Sequence, residues 1–173
     1  MSDLDETLDL VDESDQIIGE VGRTKAHSNP DLIHREIGIL ILDEQKRPLF
    51  TKRSQFKQKN PGCWNIGMGG HIRKGEAPGK AAKRELFEEL GLKGELKFFG
   101  KWFDRTETEA RFFYQYVYFW RKEKISIDQN EVEEVRFLNR KEYKSLLNSG
   151  EKSSPSTAKL AEDYFTGSLK YEN

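Results

Sequence analysis

Gly70-His71-Ile72-Arg73-Lys74-Gly75-Glu76-Ala77-Pro78-Gly79-Lys80-Ala81-Ala82-Lys83-Arg84-Glu85-Leu86-Phe87-Glu88-Glu89-Leu90-Gly91-Leu92 reads as a glycine-rich loop running into an acidic helix. Pro78 suits a first helical turn, where its missing N–H has no intrahelical partner, and Gly91 suits the residue just past the end. The spacing predicts a helix from Pro78 to Leu90, with Ala82, Leu86 and Leu90 as its buried stripe. Glu85, Glu88 and Glu89 then share one face of one turn. An acidic face paired with Lys83, Arg84 or Lys93 is the ordinary reading of such a cluster. It sits in the last turn, however, where the helix dipole opposes negative charge. Three carboxylates held there against a local preference suit a hard divalent cation with oxygen ligands.

The order Gly70, five residues, Glu76, seven residues, Arg84-Glu85-Leu86, one residue, Glu88-Glu89, one residue, Gly91-Leu92 resembles the signature of the Nudix hydrolases at every fixed position. The resemblance implies an α/β fold, a Nudix-type α/β/α sandwich around a mixed β-sheet. It also implies metal-dependent hydrolysis of a phosphoanhydride bond in a nucleoside diphosphate linked to another moiety, or a related diphosphate. Glu85, Glu88 and Glu89 would be the catalytic carboxylates holding Mg2+ or Mn2+, with the Gly70 carbonyl as a further ligand. Glu76, Arg84 and Gly91 would set the loop against the helix.

Composition sets the bounds. The 173 residues fit one domain, comprising an appendage over 1–30, a core over 35–150 and a C-terminal helix over 151–173. Charged residues make up 34% and hydrophobic residues 35%, but eleven Phe, six Tyr and three Trp supply large apolar areas for a core. A formal net charge of −1 gives no general attraction to nucleic acid or to membranes, so an anionic ligand needs a local cluster of cations. A single cysteine, Cys63, excludes an intrachain disulfide and a cysteine-based zinc site. The acidic start, Met1 to Glu6, is unlike a signal peptide, and no apolar run approaches a membrane span, so a cytoplasmic location is expected; the resemblance adds a small-molecule diphosphate substrate, and a homodimer is an open alternative.

Along the chain, Thr7 to Gly22 reads as a hairpin with its turn at Asp12 to Asp15, and Thr24 is positioned to cap a short turn to His27. Arg35 to Leu42 reads as a strand buried on both faces, with Leu49 to Arg53 returning as its partner. Trp64 to Ile66 is a short strand leading into the glycine-rich loop. Glu95 to Phe103 and Arg111 to Trp120 read as a long hairpin, Glu134 to Leu138 as a last strand, and Lys141 to Leu147 and Thr157 to Phe165 as helices, the second opened by Pro155.

Residues Leu8 to Gly75 also resemble type I isopentenyl diphosphate isomerase and its hydrolase relatives, a Nudix branch. In that isomerase three histidines hold a metal, and His27, His34 and His71, the only histidines of this chain, fall at the matching positions. They are therefore a candidate second metal site, the alternative being hydrogen-bonded residues at strand ends. The isomerase's cysteine position is Gly69, and Cys63 lies too early to replace it. Its two later glutamates would fall near Arg111 to Gln115, where there is no acid. With no evident carboxylate beside the histidines, no tightly bound transition metal is expected. Arg53 and Lys57 match its diphosphate-binding positions, and Arg offers a planar fork suited to phosphate oxygens. Glu131, Glu133 and Glu134 are lesser candidates for a base outside the signature, and Phe56, Trp64 and the tyrosines of the Arg111–Trp120 strand for stacking on a base, although strand aromatics more often belong to a core. Three functions remain to be separated: diphosphate hydrolase, isoprenoid diphosphate isomerase, and a non-catalytic nucleotide-binding module.

Overall fold

The computed structural model describes residues 6–57 and 59–169; the extreme ends of the expected appendage and C-terminal helix, 1–5 and 170–173, lie outside them, as does the start from Met1 to Asp5 on which the signal-peptide reading rests. Two strands, β1 (Thr7–Val11) and β2 (Ile17–Gly22), form the N-terminal hairpin, followed by the short helix α1 (Arg23–Ala26). Gly22 rather than Thr24 stands at its N-cap, and no side chain caps it. The next elements are β3 (His34–Leu42), β4 (Leu49–Arg53), β5 (Trp64–Ile66), β6 (Met68–His71) and α2 (Pro78–Leu90). The chain continues through β7 (Lys97–Arg105), β8 (Ala110–Phe119), β9 (Val132–Phe137), α3 (Arg140–Asn148) and α4 (Pro155–Thr166).

The strands build a four-stranded sheet in the order β6-β3-β8-β7 and a three-stranded sheet in the order β5-β4-β9. The first is mixed, because β3 runs parallel to β8 and antiparallel to β6, while β7 and β8 form the long hairpin. The expected pairing of β4 with β3 is corrected. Both edges of β3 are taken by β6 and β8, only the bridge Leu42–Pro48 joins the two segments, and the Asp43–Arg47 turn delivers β4 to the second sheet. The glycine-rich loop is likewise shorter than expected: Met68 to His71 is a strand. The chain changes sheets at Gly67, whose φ of 69° belongs to the left-handed region that glycine adopts without strain.

Alternation along β3 explains the core. Ile37, Ile39 and Ile41 face α2 and pack with Ala81, Ala82 and Leu86. Leu40 and Leu42 face the other way, toward Phe50, Trp64 and Tyr143 of the second sheet and α3. Each strand side thus serves a separate layer, which is why this strand reads as continuously apolar. α2 ends as its spacing predicts, with Gly91 at φ 67° donating back to the Phe87 carbonyl and Leu92 to that of Leu86.

Asp15 fastens the hairpin. Its carboxylate accepts from Arg35 Nε at 2.6 Å, from Lys101 Nζ at 2.7 Å and from the Tyr114 hydroxyl, tying the β1–β2 turn to β3, β7 and β8. Burial works against its charge, but Lys101, Tyr114 and Arg35 outweigh it and hold the carboxyl below its ordinary value of 3.8. A carboxylate with a depressed folded-state pKa stabilises above its unfolded pKa and loses that contribution as pH falls through the folded value. Asp15→Asn, which tolerates the same left-handed backbone at φ 63°, should therefore cost about 2 to 3 kcal/mol at neutral pH. In urea denaturation the gap from wild type should shrink as pH falls below about 4. A constant gap across that range would remove the charge from the explanation.

Candidate active site and histidine centre

α2 carries the acidic cluster, and its anchor is Arg84. The guanidinium donates in two parallel bonds to Glu76, Nε to Oε1 at 2.9 Å and Nη2 to Oε2 at 2.8 Å. The same group reaches Glu85 at 2.6 Å, Glu88 at 3.1 Å and the His71 carbonyl at 3.0 Å. Loop, strand end and helix are therefore locked by one planar cation, the geometry for which arginine rather than lysine is suited. Burial would raise the Glu76 carboxyl, yet the bond from Arg84 holds it below its ordinary range.

Gly70 lies on β6 directly against Glu85: a Cβ there would stand 2.3 Å from Glu85 Cδ and 2.5 Å from Oε1. The glycine makes room for a carboxylate. Burial pushes the Glu85 carboxyl up to about 7, Glu88 adding repulsion against the attraction of Arg84. Burial pushes Glu89 well up as well, reinforced by the charges of Glu85 and Glu131 and opposed by Lys57 and Arg53. Clustered carboxylates that resist ionising, beside a cradle cut for one of them, fit a hard divalent cation. Glu88 stands at the rim, its side chain 46% exposed.

Arg53 and Lys57 are brought toward this cluster, since their charges act on Glu89. Arg53 Nε donates to the Lys59 carbonyl at 2.9 Å, which shapes the loop, and Lys57 Nζ donates to Glu131 at 2.6 Å. Of the three outlying glutamates only Glu131 joins the site. Glu133 pairs with Lys52 and Gln55, and Glu134 with Arg136. Trp64 is fully buried and donates to Glu151, so it has no face to offer a base, whereas Phe56 is exposed.

The three histidines converge. His27 at the end of α1, His34 on β3 and His71 on β6 meet Glu36, and one ligand atom from each lies within 4.8 Å of the others. Glu36 faces them because it is two residues beyond His34 on one strand face and directly opposite His71 across the β3–β6 ladder. Glu109, in the β7–β8 turn, bonds His27 Nδ1 and pairs with Arg111 at 2.6 Å and Lys59 at 3.1 Å. The expectation that no carboxylate stands beside the histidines is thus corrected: Glu36 and Glu109 do, coming from β3 and a turn instead of from β8. On β8, Arg111 lies beside His34 and Phe113 beside Glu36. Burial opposes the Glu36 charge, but His34, His71 and Arg111 hold its carboxyl well below the ordinary range. Burial lowers His71, favouring the neutral imidazole. Glu109 is held down to about 2 by His27 and Arg111 against the effect of burial.

The pattern H-x-E over 34–36 is a signal that a strand reading could have used. Glu109 had none, because only the hairpin turn brings it to His27.

Comparison with known proteins agrees with this architecture. The NUDIX domain family matches residues 32–160. Isopentenyl-diphosphate Delta-isomerase of Streptomyces griseus is 42% identical over 89 residues, 51% of this chain and 45% of that protein, so the match spans about half of its length. Isopentenyl-diphosphate Delta-isomerase 2 of Photorhabdus laumondii is 31% identical over 150 residues, 84% of both chains. A Deinococcus radiodurans crystal structure shares the fold with a TM-score of 0.76 at 20% identity, over 92% of this chain and 99% of that one. No helix among the described residues is long and apolar enough to cross a membrane. With a complete signature from Gly70 to Leu92, a family match across most of the chain and an isomerase-named relative aligned over 84% of it, this chain belongs to the Nudix family, in its isopentenyl diphosphate isomerase-like branch.

Proposed function

We propose that this chain is a cytoplasmic pyrophosphohydrolase that cleaves a phosphoanhydride bond in a substrate of the nucleoside diphosphate type. The observation that carries the reading is the half-buried pair Glu85 and Glu89, whose charges act on each other, with the cations Arg53 and Lys57 acting on Glu89. Such a site offers a diphosphate both metal ligands and direct donors. Glu85, Glu88 and Glu89 would hold Mg2+ or Mn2+, which when bound neutralises phosphoryl oxygens and lowers the pKa of water. Arg84 and Glu76 fix the helix against β6, and Arg53 and Lys57 grip phosphate oxygens. Water adds to one phosphorus as the bridging P–O bond breaks, and its proton passes to a carboxylate of the cluster. Glu89, whose proton affinity burial raises, and Glu131, held on Lys57, are the acceptors within reach of that region.

The isomerase reading has the histidine convergence and its relatives in favour, but Gly69 stands where its thiol would be and the stretch from Arg111 to Gln115, near which its acids would fall, holds no acid. Phosphate release from a panel of nucleoside diphosphate compounds with added Mg2+, run beside an assay for interconversion of isoprenoid diphosphate isomers, separates the readings. Release without interconversion is expected. Binding without release would make the chain a nucleotide-binding module, and interconversion would make it an isomerase. On the best substrate Arg53→Ala should lower kcat/KM about 10- to 100-fold, the loss of a charge-assisted phosphate contact, with unchanged Mg2+ affinity. Unaltered kinetics would return Arg53 to a purely loop-shaping role.

A further inference from the structure

We propose that Asp9 is a positioning residue for the acidic cluster, and that the N-terminal hairpin acts through it as a strap on the loop between β6 and α2. The inference rests on the reading of Glu85, Glu88 and Glu89 as Mg2+ ligands. Residues Arg73 to Glu76 make a four-residue turn, closed by the Glu76 N–H donating to the Arg73 carbonyl at 2.9 Å. Gly75 stands third in it at φ 71°, a left-handed backbone that glycine adopts without strain. Such a turn leaves the N–H of its third residue without an internal partner. Asp9 on β1 accepts it with both carboxylate oxygens, each at 3.1 Å.

Asp9 is a costly choice of partner. It is 4% exposed, and among the described residues its side chain accepts hydrogen bonds from Gly75 alone. Lys74 feels its charge but bonds Glu20 instead. A buried carboxylate that satisfies one N–H is a poor packing residue, so its place is explained by what that N–H belongs to. Gly75 is followed by Glu76, which takes the two parallel bonds of Arg84, and Arg84 bonds Glu85 at 2.6 Å and Glu88 at 3.1 Å. A shift of the turn is therefore passed to the cluster within two contacts. The neighbours of Asp9 grip the same turn. The Lys74 N–H donates to the Thr7 carbonyl at 2.9 Å, Leu8 bridges to Arg73, and Glu6 accepts from Arg73 Nε at 3.0 Å. Arg73 Nη2 lies 3.6 Å from Glu88. Asp15, another buried acid of the hairpin, places its carboxylate on residues of β3, β7 and β8 instead, so fastening the hairpin and fastening the loop fall to different residues.

Asp9→Ala should weaken Mg2+ binding about 10-fold in titration calorimetry, the scale of losing a group that orients metal ligands from outside. In metal-free protein, hydrogen exchange over residues 72–76 should quicken about 10-fold or more, since the turn loses its outer partner. Asp9→Asn keeps one acceptor oxygen and should recover most of both losses, and it serves equally if the alanine variant fails to fold. Asp15→Asn should lower stability while leaving Mg2+ affinity and exchange in the turn as in the wild type. Exchange needs neither metal nor turnover, and the titration needs no turnover. A chain that hydrolyses nothing would thus defeat the hydrolase reading and leave the role of Asp9 still decided by these measurements. Wild-type Mg2+ affinity in Asp9→Ala would overturn the proposal, faster exchange alone meaning that the strap holds the turn and not the cluster. So would Asp15→Asn weakening Mg2+ binding as much as Asp9→Ala, which would trace the effect to a general loosening of the hairpin.

Discussion

Glu89→Gln is expected to lower kcat on the order of 10³-fold at saturating Mg2+, the scale seen when one preorganised charge is removed from a reacting site. The substitution is nearly isosteric, so the effect should come without a loss of fold. Glu89 is half-buried and feels the charges of Glu85 and Glu131, and desolvation pushes its carboxyl well up. Glutamine resembles the protonated form that these surroundings already favour in the absence of a cation. Thermal denaturation without metal should therefore show a Tm equal to or above wild type. Added Mg2+ should raise the wild-type Tm by mass action and leave that of the variant almost unmoved. A kcat loss below tenfold, about 1.4 kcal/mol, would remove Glu89 from the ligand set.

The acidic helix was legible because its start, stripe and stop are all local. Pro78, the Ala82–Leu86–Leu90 spacing and Gly91 act within one segment, and the element runs from Pro78 to Leu90. Strands were legible as segments and less so as partners. The β4 sequence alternates as well beside β3 as beside β5 and β9, so its sheet is decided by which edges of β3 the β6 and β8 segments occupy. The same non-local pairing explains the overlooked carboxylates. Glu36 is placed opposite His71 by the β3–β6 register, and Glu109 reaches His27 from 82 positions away. Arg111 could be read only as a missing acid. In the structure it holds both Glu36 and Glu109 in place.

Gly70→Ala is expected to cut kcat about 100-fold while leaving stability unchanged or slightly raised. The added Cβ would stand 2.3 Å from Glu85 Cδ, 2.5 Å from Oε1 and 2.7 Å from Cγ, all atoms of one flexible side chain. The backbone has no need to move, because Glu85 can rotate away. Doing so breaks its 2.6 Å bond with Arg84 and withdraws a carboxylate from the cluster. Alanine is also better than glycine in an extended strand by roughly 0.5 to 1 kcal/mol, since the unfolded chain has less freedom to lose. Mg2+ titration calorimetry should show weakened binding alongside the kinetic loss. The decisive comparison is the double variant with Glu85→Gln. If Gly70 acts only by making room for that carboxylate, the second change adds almost nothing to the first, a coupling as large as the single effect. Additive losses would mean that the added methyl disturbs the site by a route other than Glu85, through a shift of the β6 backbone.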